Sequence, residues 1–156
     1  MANVVLLYTP MIRSQQITLK TDFDPDDAVM GYPGELRQLF SSLMSNAVEA
    51  MDKHGTLKVR VHPAVSGATG EKGVRVLIAD RGPGIRAEIR EKIFEPFFTT
   101  KGERGTGLGL WISSEIVRKH GGALRVRTAT QGNTGTVFNV FLPGRYREGR
   151  APISGH

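Results

Sequence analysis

The stretch Gly105-Thr106-Gly107-Leu108-Gly109-Leu110 decides the fold of this chain. Its three alternate glycines run directly into Trp111-Ile112-Ser113-Ser114-Glu115-Ile116-Val117, whose apolar spacing predicts an amphipathic helix ending near His120. Glycines just before a helix leave backbone N–H groups uncovered at the positive end of the helix dipole, which suits a phosphate. The stretch therefore predicts an anion site, and the rest of the chain decides its kind.

The spacing of these glycines argues against two common phosphate-binding motifs. The run is Gly-x-Gly-x-Gly rather than Gly-x-Gly-x-x-Gly, and a loop precedes it, whereas a dinucleotide-binding motif follows a strand. It also lacks the Gly-Lys-Ser/Thr ending of a P-loop. A different class of nucleotide site is expected.

Length and composition indicate one domain. The chain has 156 residues, of which 39% are hydrophobic and 23% charged, and this is enough to form a single core. It contains no cysteine, which excludes disulfides and thiol chemistry. The apolar run from Val4 to Tyr8 is too short for a signal or membrane-spanning segment, so we expect a cytoplasmic location.

The net charge raises nucleic acid as a partner. Formal net charge is +6, with 21 lysines and arginines against 15 acidic residues. The basic residues look scattered along the sequence, however, and no basic stripe interleaved with aromatic residues is present. We therefore expect an anionic small ligand and no nucleic acid.

Periodicity predicts an α+β fold, a two-layer α/β sandwich with about three main helices over a mixed, mainly antiparallel sheet. Helices are predicted over 35–53, 86–92 and 106–119, and segment 4–13 is either a helix fragment or a strand. Strands are predicted over 16–21, 57–61, 74–79, 123–129 and 135–142, with a turn at Asp24–Asp27. We expect one domain over 1–143 and a disordered tail over 144–156.

Polar residues lie beside the apolar stripe of the helix predicted over 35–53. Ser42, Asn46 and Glu49 follow at spacings of four and three and so share one face. Amide and carboxylate oxygens suit Mg²⁺ that also takes phosphate oxygens. The alternative is a polar edge that faces solvent.

Asp80 ends an apolar strand and is followed at once by Arg81-Gly82-Pro83-Gly84. A carboxylate there can accept a hydrogen bond from an amino group of a ligand, and Gly82 and Gly84 allow close backbone approach. The alternative is a tight turn in which Asp80 caps its own backbone.

Three aromatic residues follow in Phe94-Glu95-Pro96-Phe97-Phe98, where no helical or strand period is present. They predict a hydrophobic latch for a loop whose Thr99, Thr100, Lys101 and Arg104 supply hydroxyls and cations to phosphates. The alternative is a plain connecting loop. The four histidines lack metal-ligand spacing, and His120 is interpreted as structural.

Taken in this order, four stretches resemble the ATP-binding catalytic domain of bacterial two-component sensor histidine kinases, in the superfamily of DNA gyrase B, Hsp90 and MutL. They are an asparagine box over 37–51, a glycine box over 80–85, a phenylalanine box over 93–101 and a second glycine box over 105–110. The match covers roughly residues 15–143 and implies a Bergerat-type ATP-binding fold.

The resemblance implies a role for each box. Asn46 would ligate Mg²⁺, Asp80 would bind the adenine amino group, and Lys101 to Gly109 would form a lid over the phosphates. The implied ATP-binding residues are Asn46, Glu49, Asp80, Gly82, Gly84, Ile85, Phe97, Thr100, Lys101, Gly105, Thr106, Gly107, Leu108, Gly109 and Thr136. Lys101 is the implied phosphate contact.

The same resemblance implies a function. Such a domain binds Mg-ATP and donates the γ-phosphate to a histidine on a separate dimerisation domain, in the same protein or in trans, with a response regulator downstream. None of the chain's own histidines has a phosphoacceptor-like context, so we expect no autophosphorylation by this chain alone.

Ser42 departs from the family pattern. Histidine kinases usually have asparagine there, and gyrase-type ATPases have the glutamate that activates water, so efficient ATP hydrolysis is not expected. One alternative is a catalytically weak nucleotide-binding regulatory module. Another is an anti-sigma-type serine kinase of the same superfamily, over which the phenylalanine box and Thr99-Thr100-Lys101 favour the histidine kinases.

Overall fold

The computed structural model describes residues 1–23 and 31–144. Its helices are α1 (Ala2–Ser14), α2 (Pro33–Ala50) and α3 (Gly109–Lys119), and its strands are β1 (Thr18–Phe23), β2 (Thr56–Val65), β3 (Lys72–Asp80), β4 (Ala123–Ala129) and β5 (Gly135–Pro143). The turn predicted at Asp24–Asp27 and all but the first residue of the predicted tail lie outside the described residues.

The five strands form one sheet in the order β1-β2-β3-β5-β4. Strands β1 and β2 are parallel, and every other neighbouring pair is antiparallel. The predicted fold class is therefore confirmed. Strand β3 is central, as its continuous apolar run indicates.

The helices α2 and α3 cover one face of the sheet, here called the inner face. Leu39, Leu43 and Ala47 of α2 are fully buried against inner-face side chains such as Leu57 and Ile78. These positions keep helical spacing on α2 and alternate along the strands, which is why both elements fold onto one core. A cavity lies at one end of this layer.

Segment 4–13, which the sequence left open, belongs to helix α1. Val4, Val5 and Ile12 are buried at helical spacing. The helix lies against α2, where the Tyr8 hydroxyl donates a hydrogen bond of 2.8 Å to the carbonyl of Ser41.

The predictions for 86–92 and for the start of α3 were wrong in detail. The first segment forms two 3₁₀ turns, Ala87–Ile89 and Lys92–Phe94, instead of a helix. Helix α3 begins at Gly109, not near Thr106, because Gly107 has a φ of +69° that no right-handed helix accepts. The glycine run therefore remains a loop almost to its end.

Candidate functional site

A cavity of about 580 Å³ lies between α2, the ends of β3 and β5, and the segment over 83–110. It brings together most of the residues that the sequence singled out. Those that line it are Ser42, Asn46, Glu49, Asp80, Gly84, Ile85, Thr100, Lys101, Gly105, Thr106, Gly107, Gly109 and Thr136. Residues from four separate boxes therefore share one site.

Asp80 is the buried carboxylate of this cavity, with only 6% of its surface exposed. Its Oδ1 accepts hydrogen bonds from the backbone N–H groups of Gly82, at 2.8 Å, and Thr136, at 3.2 Å. Both bonds end on Oδ1, so Oδ2 remains available to a donor on a ligand. Asp80 thus caps its own turn and also lines the cavity, so the two interpretations of the sequence are compatible.

Burial sets the electrostatics of Asp80. It raises the pKa of the carboxyl, and the hydrogen bonds from Gly82 and Thr136 offset only part of this effect, so the pKa lies above its ordinary value. A ligand that donates to Oδ2 stabilises the charged form.

The turn after Asp80 is fixed against the end of β4. Ile85 donates its backbone N–H to Thr128 Oγ1 at 2.7 Å. Gly84 has a φ of +79°, and a Cβ atom there would lie 2.2 Å from the carbonyl oxygen of Ala129. Only glycine fits this position, and it forms one wall of the cavity.

Asn46 and Glu49 converge on a single cation, the ammonium of Lys101. Lys101 Nζ lies 2.6 Å from Glu49 Oε2 and 3.2 Å from Asn46 Oδ1. Burial raises the pKa of Glu49, but hydrogen bonds from Lys101 and Ser45 and the charge of Lys101 outweigh it, so the pKa lies below its ordinary value. The oxygens of Asn46 and Glu49 thus share one cation, and the magnesium site at these residues stays a prediction.

The glycine run closes the cavity by packing backbone against backbone. Phe97 donates its N–H to the carbonyl of Gly107 at 2.9 Å. A Cβ atom on Gly107 would lie 2.3 Å from the carbonyl carbon of Phe97, which explains why glycine is needed there. Phe97 itself adopts a φ of +67° and exposes 75% of its surface.

Three predicted residues do not line the cavity. Gly82 acts through its N–H on Asp80, Phe97 lies at the surface, and Leu108 is the N-cap residue of α3. Phe98 lines the cavity in place of Phe97.

Other lining residues were missed at the sequence level. They are Ser45, Ala50, Pro83, Ile89, Ile93, Leu110 and Phe138, whereas Phe98 and Thr99, which the sequence assigned to the latch and its loop, also line the cavity. Helical spacing offered a signal for one of them, since Ala50 follows Asn46 by four positions on α2.

Comparison with known proteins places this geometry in a family. The sequence of the chain matches the family model of the histidine kinase-, DNA gyrase B- and HSP90-like ATPases over residues 31–145. The chain is 39% identical over 131 residues to the sensor histidine kinase ZraS of Escherichia coli. This alignment covers 83% of this chain and 26% of ZraS. The chain spans about a quarter of the length of the curated relatives it matches.

Solved structures agree with the sequence match. The catalytic domain of histidine kinase ThkA superposes with a TM-score of 0.77 at 34% identity, over 92% of this chain and 90% of that domain. ThkA in complex with the response regulator protein TrrA superposes with a TM-score of 0.73 at 30% identity, over 94% of this chain and 40% of that one. Among the described residues, no helix is long and apolar enough to cross a membrane.

Proposed function

This chain belongs to the family of histidine kinase-, DNA gyrase B- and HSP90-like ATPases, and on that premise we propose that it binds Mg-ATP and donates the γ-phosphate to a histidine of a separate dimerisation domain. A response regulator would receive the phosphate next, as the ThkA–TrrA complex suggests by analogy. The proposed location is the cytoplasm.

The observation that carries the proposal is the buried Asp80 carboxylate. Its Oδ1 is held by two backbone N–H groups, so the orientation of the carboxylate is fixed before a ligand arrives. The amino group of adenine is a donor that Oδ2 can accept. A ligand that donates a hydrogen bond to a buried carboxylate gains affinity, and a ligand without a donor leaves the carboxylate unpaired and binds more weakly. The site is therefore selective.

The proposed metal site lies where Lys101 now holds Asn46 and Glu49 together. When bound, Mg²⁺ would neutralise phosphate charge and orient the transferred group. Asn46 Oδ1 is the proposed ligand, with Glu49 beside it. Lys101 would then pair with the phosphates instead of these two oxygens, so it would act as a counter-charge with and without nucleotide.

Lys101→Met is expected to weaken ATP binding about tenfold, because a charge-assisted hydrogen bond to a phosphate is lost. Adenosine, which has no phosphate, should bind the variant as it binds the wild-type chain. Calorimetric titration with both ligands measures this difference. Lys53→Met, at an exposed lysine outside the cavity, is the matched control, and an equal loss in both variants would count against the assignment.

The side chain at position 42 bears on whether this domain is a kinase or an ATPase that activates water. Ser42 lines the cavity and carries no carboxylate, so the position that activates water in gyrase-type enzymes has no base here. Catalysis by this chain then rests on positioning and charge neutralisation. Serine at position 42, where the family has asparagine or glutamate, also favours the second candidate function, a nucleotide-binding regulatory module.

A chimera separates the two functions. This chain is fused behind a dimerisation hairpin that carries a phosphoacceptor histidine, because a linker raises the effective concentration of the acceptor to about the millimolar range. With γ-labelled ATP and Mg²⁺, we expect acid-labile label on the hairpin, more of it in Ser42→Asn, and none on the isolated chain. ATP binding without label in either chimera would favour the regulatory module.

A further inference from the structure

The sheet collects cations on its outer face, the face opposite α2 and α3. The six basic residues there are Lys20, Lys58, Arg60, Arg75, Arg125 and Arg127, whose neighbours along each strand point into the core. They are far apart in the sequence, and only the strand register brings them together.

The register arranges four of these cations in two rows that cross four strands. One row runs Lys58, Ala79, Val137, Arg127, and the next runs Arg60, Leu77, Asn139, Arg125. Each row therefore has a cation at both ends and short or apolar side chains between them.

Little negative charge opposes these cations. Within the five strands, Asp22 is the one carboxylate on the outer face, and it pairs with Arg60 at 3.5 Å. At one end of the face, a cavity of about 340 Å³ is lined by Lys58, Arg81 and Arg127 and also by Asp80. Most of the formal net charge of +6 thus resides on this surface.

We propose that this outer face docks an amphipathic helix of a partner protein, with acidic residues on both sides of an apolar seam. The two cationic flanks are Lys58 with Arg60 on β2 and Arg127 with Arg125 on β4. They are separated by three strand spacings, roughly 14 Å, and a helix with its side chains is about 10–12 Å wide. The seam would cover the half-buried Ala79, Leu77 and Val137 on β3 and β5, where Arg75 and Asn139 also lie, while the acidic residues meet the flanking cations.

A protein partner fits this face better than nucleic acid does. Phosphates would meet the cations but leave the apolar floor uncovered. The one aromatic residue among the outer-face positions of β2 to β5 is Phe141, which is buried and so offers no base-stacking platform. Apolar contact and charge complementarity both favour a helix.

The test uses the whole chain and a labelled synthetic helix of about 18 residues, with a leucine and alanine seam flanked by glutamates. Fluorescence anisotropy compares wild type with Lys58→Glu/Arg127→Glu. The matched control, Arg13→Glu/Arg37→Glu, makes the same charge change at exposed positions of α1 and α2. We expect the sheet variant to weaken binding at least about tenfold and the control less than about twofold.

Two further ligands complete the experiment. A shuffled peptide of the same composition, which lacks the seam, should bind at least about tenfold more weakly. A DNA duplex of about 20 base pairs should bind more weakly than the helix and lose affinity equally in both variants.

The proposal is overturned if both variants lose equal affinity for the helix, if the shuffled peptide binds as well, or if DNA binds more tightly and depends on the sheet variant. Far-UV circular dichroism and ATP titration verify folding of each variant. If the charge reversal does not fold, Lys58→Gln/Arg127→Gln replaces it, with an expected loss of at least about threefold.

Discussion

Asp80→Asn is expected to weaken ATP binding about 100-fold, which corresponds to a loss of about 3 kcal/mol. Asparagine keeps an oxygen for the N–H groups of Gly82 and Thr136, so the local hydrogen bonds survive. The second oxygen becomes an amino group, and two donors then face each other where the adenine amino group would bind. Calorimetric titration with ATP measures the loss.

The same variant is expected to be as stable as the wild-type chain or more so. A carboxyl whose pKa is raised by folding stabilises the fold at low pH, and this contribution disappears as the pH rises through the raised pKa. Charged Asp80 is therefore a cost at neutral pH, and asparagine removes it.

Thermal unfolding at neutral pH checks the stability, with the exposed Asp52→Asn as the control for both measurements. Asp52→Asn should leave ATP binding unchanged. If Asp80→Asn binds ATP as tightly as this control does, the assignment of Asp80 to the adenine amino group is wrong.

Gly84→Ala is expected to lower the free energy of unfolding by about 3 kcal/mol. Two costs combine: an L-residue is placed at a φ of +79°, and its Cβ meets the carbonyl of Ala129 at 2.2 Å. The turn can relieve the clash only by leaving β4, which breaks the hydrogen bond between Ile85 and Thr128. ATP affinity should fall with it, because this turn forms a wall of the cavity.

Urea unfolding measures the change against Gly34→Ala. Gly34 lies in α2, where an added Cβ meets nothing within 4 Å. Alanine there should stabilise the helix by about 0.5–1 kcal/mol. Equal stability of the two variants would show that the turn is not packed as described.

Much of the site was predictable because chemistry restricts residue types. Asp80 at the end of an apolar strand, glycines before a helix or in a turn and Asn46 beside an apolar stripe were each singled out by residue type and position, and the fold brings them into one cavity. The central position of β3 was predicted from its apolar run, although the structure buries only the inner face of this strand and leaves its outer face half-buried.

Contacts that depend on tertiary geometry were not predictable. Nothing local indicates that Lys101 reaches Glu49, 52 positions earlier. Nothing local indicates which of the two neighbouring phenylalanines lines the cavity: Phe97 has a φ of +67° and an exposed ring, and Phe98 lines the cavity. The basic residues look scattered in the sequence because their grouping depends on the strand order β1-β2-β3-β5-β4.

The central claim is that Asp80 accepts a hydrogen bond from the amino group of adenine in this cavity. The nucleotide selectivity of the wild-type chain tests this claim most directly. Guanine carries a carbonyl where adenine carries its amino group, so GTP would place an acceptor against a buried carboxylate. Calorimetry at saturating Mg²⁺ should show ATP binding about 100-fold more tightly than GTP. Equal affinity for the two nucleotides, or no binding of ATP, would contradict the account.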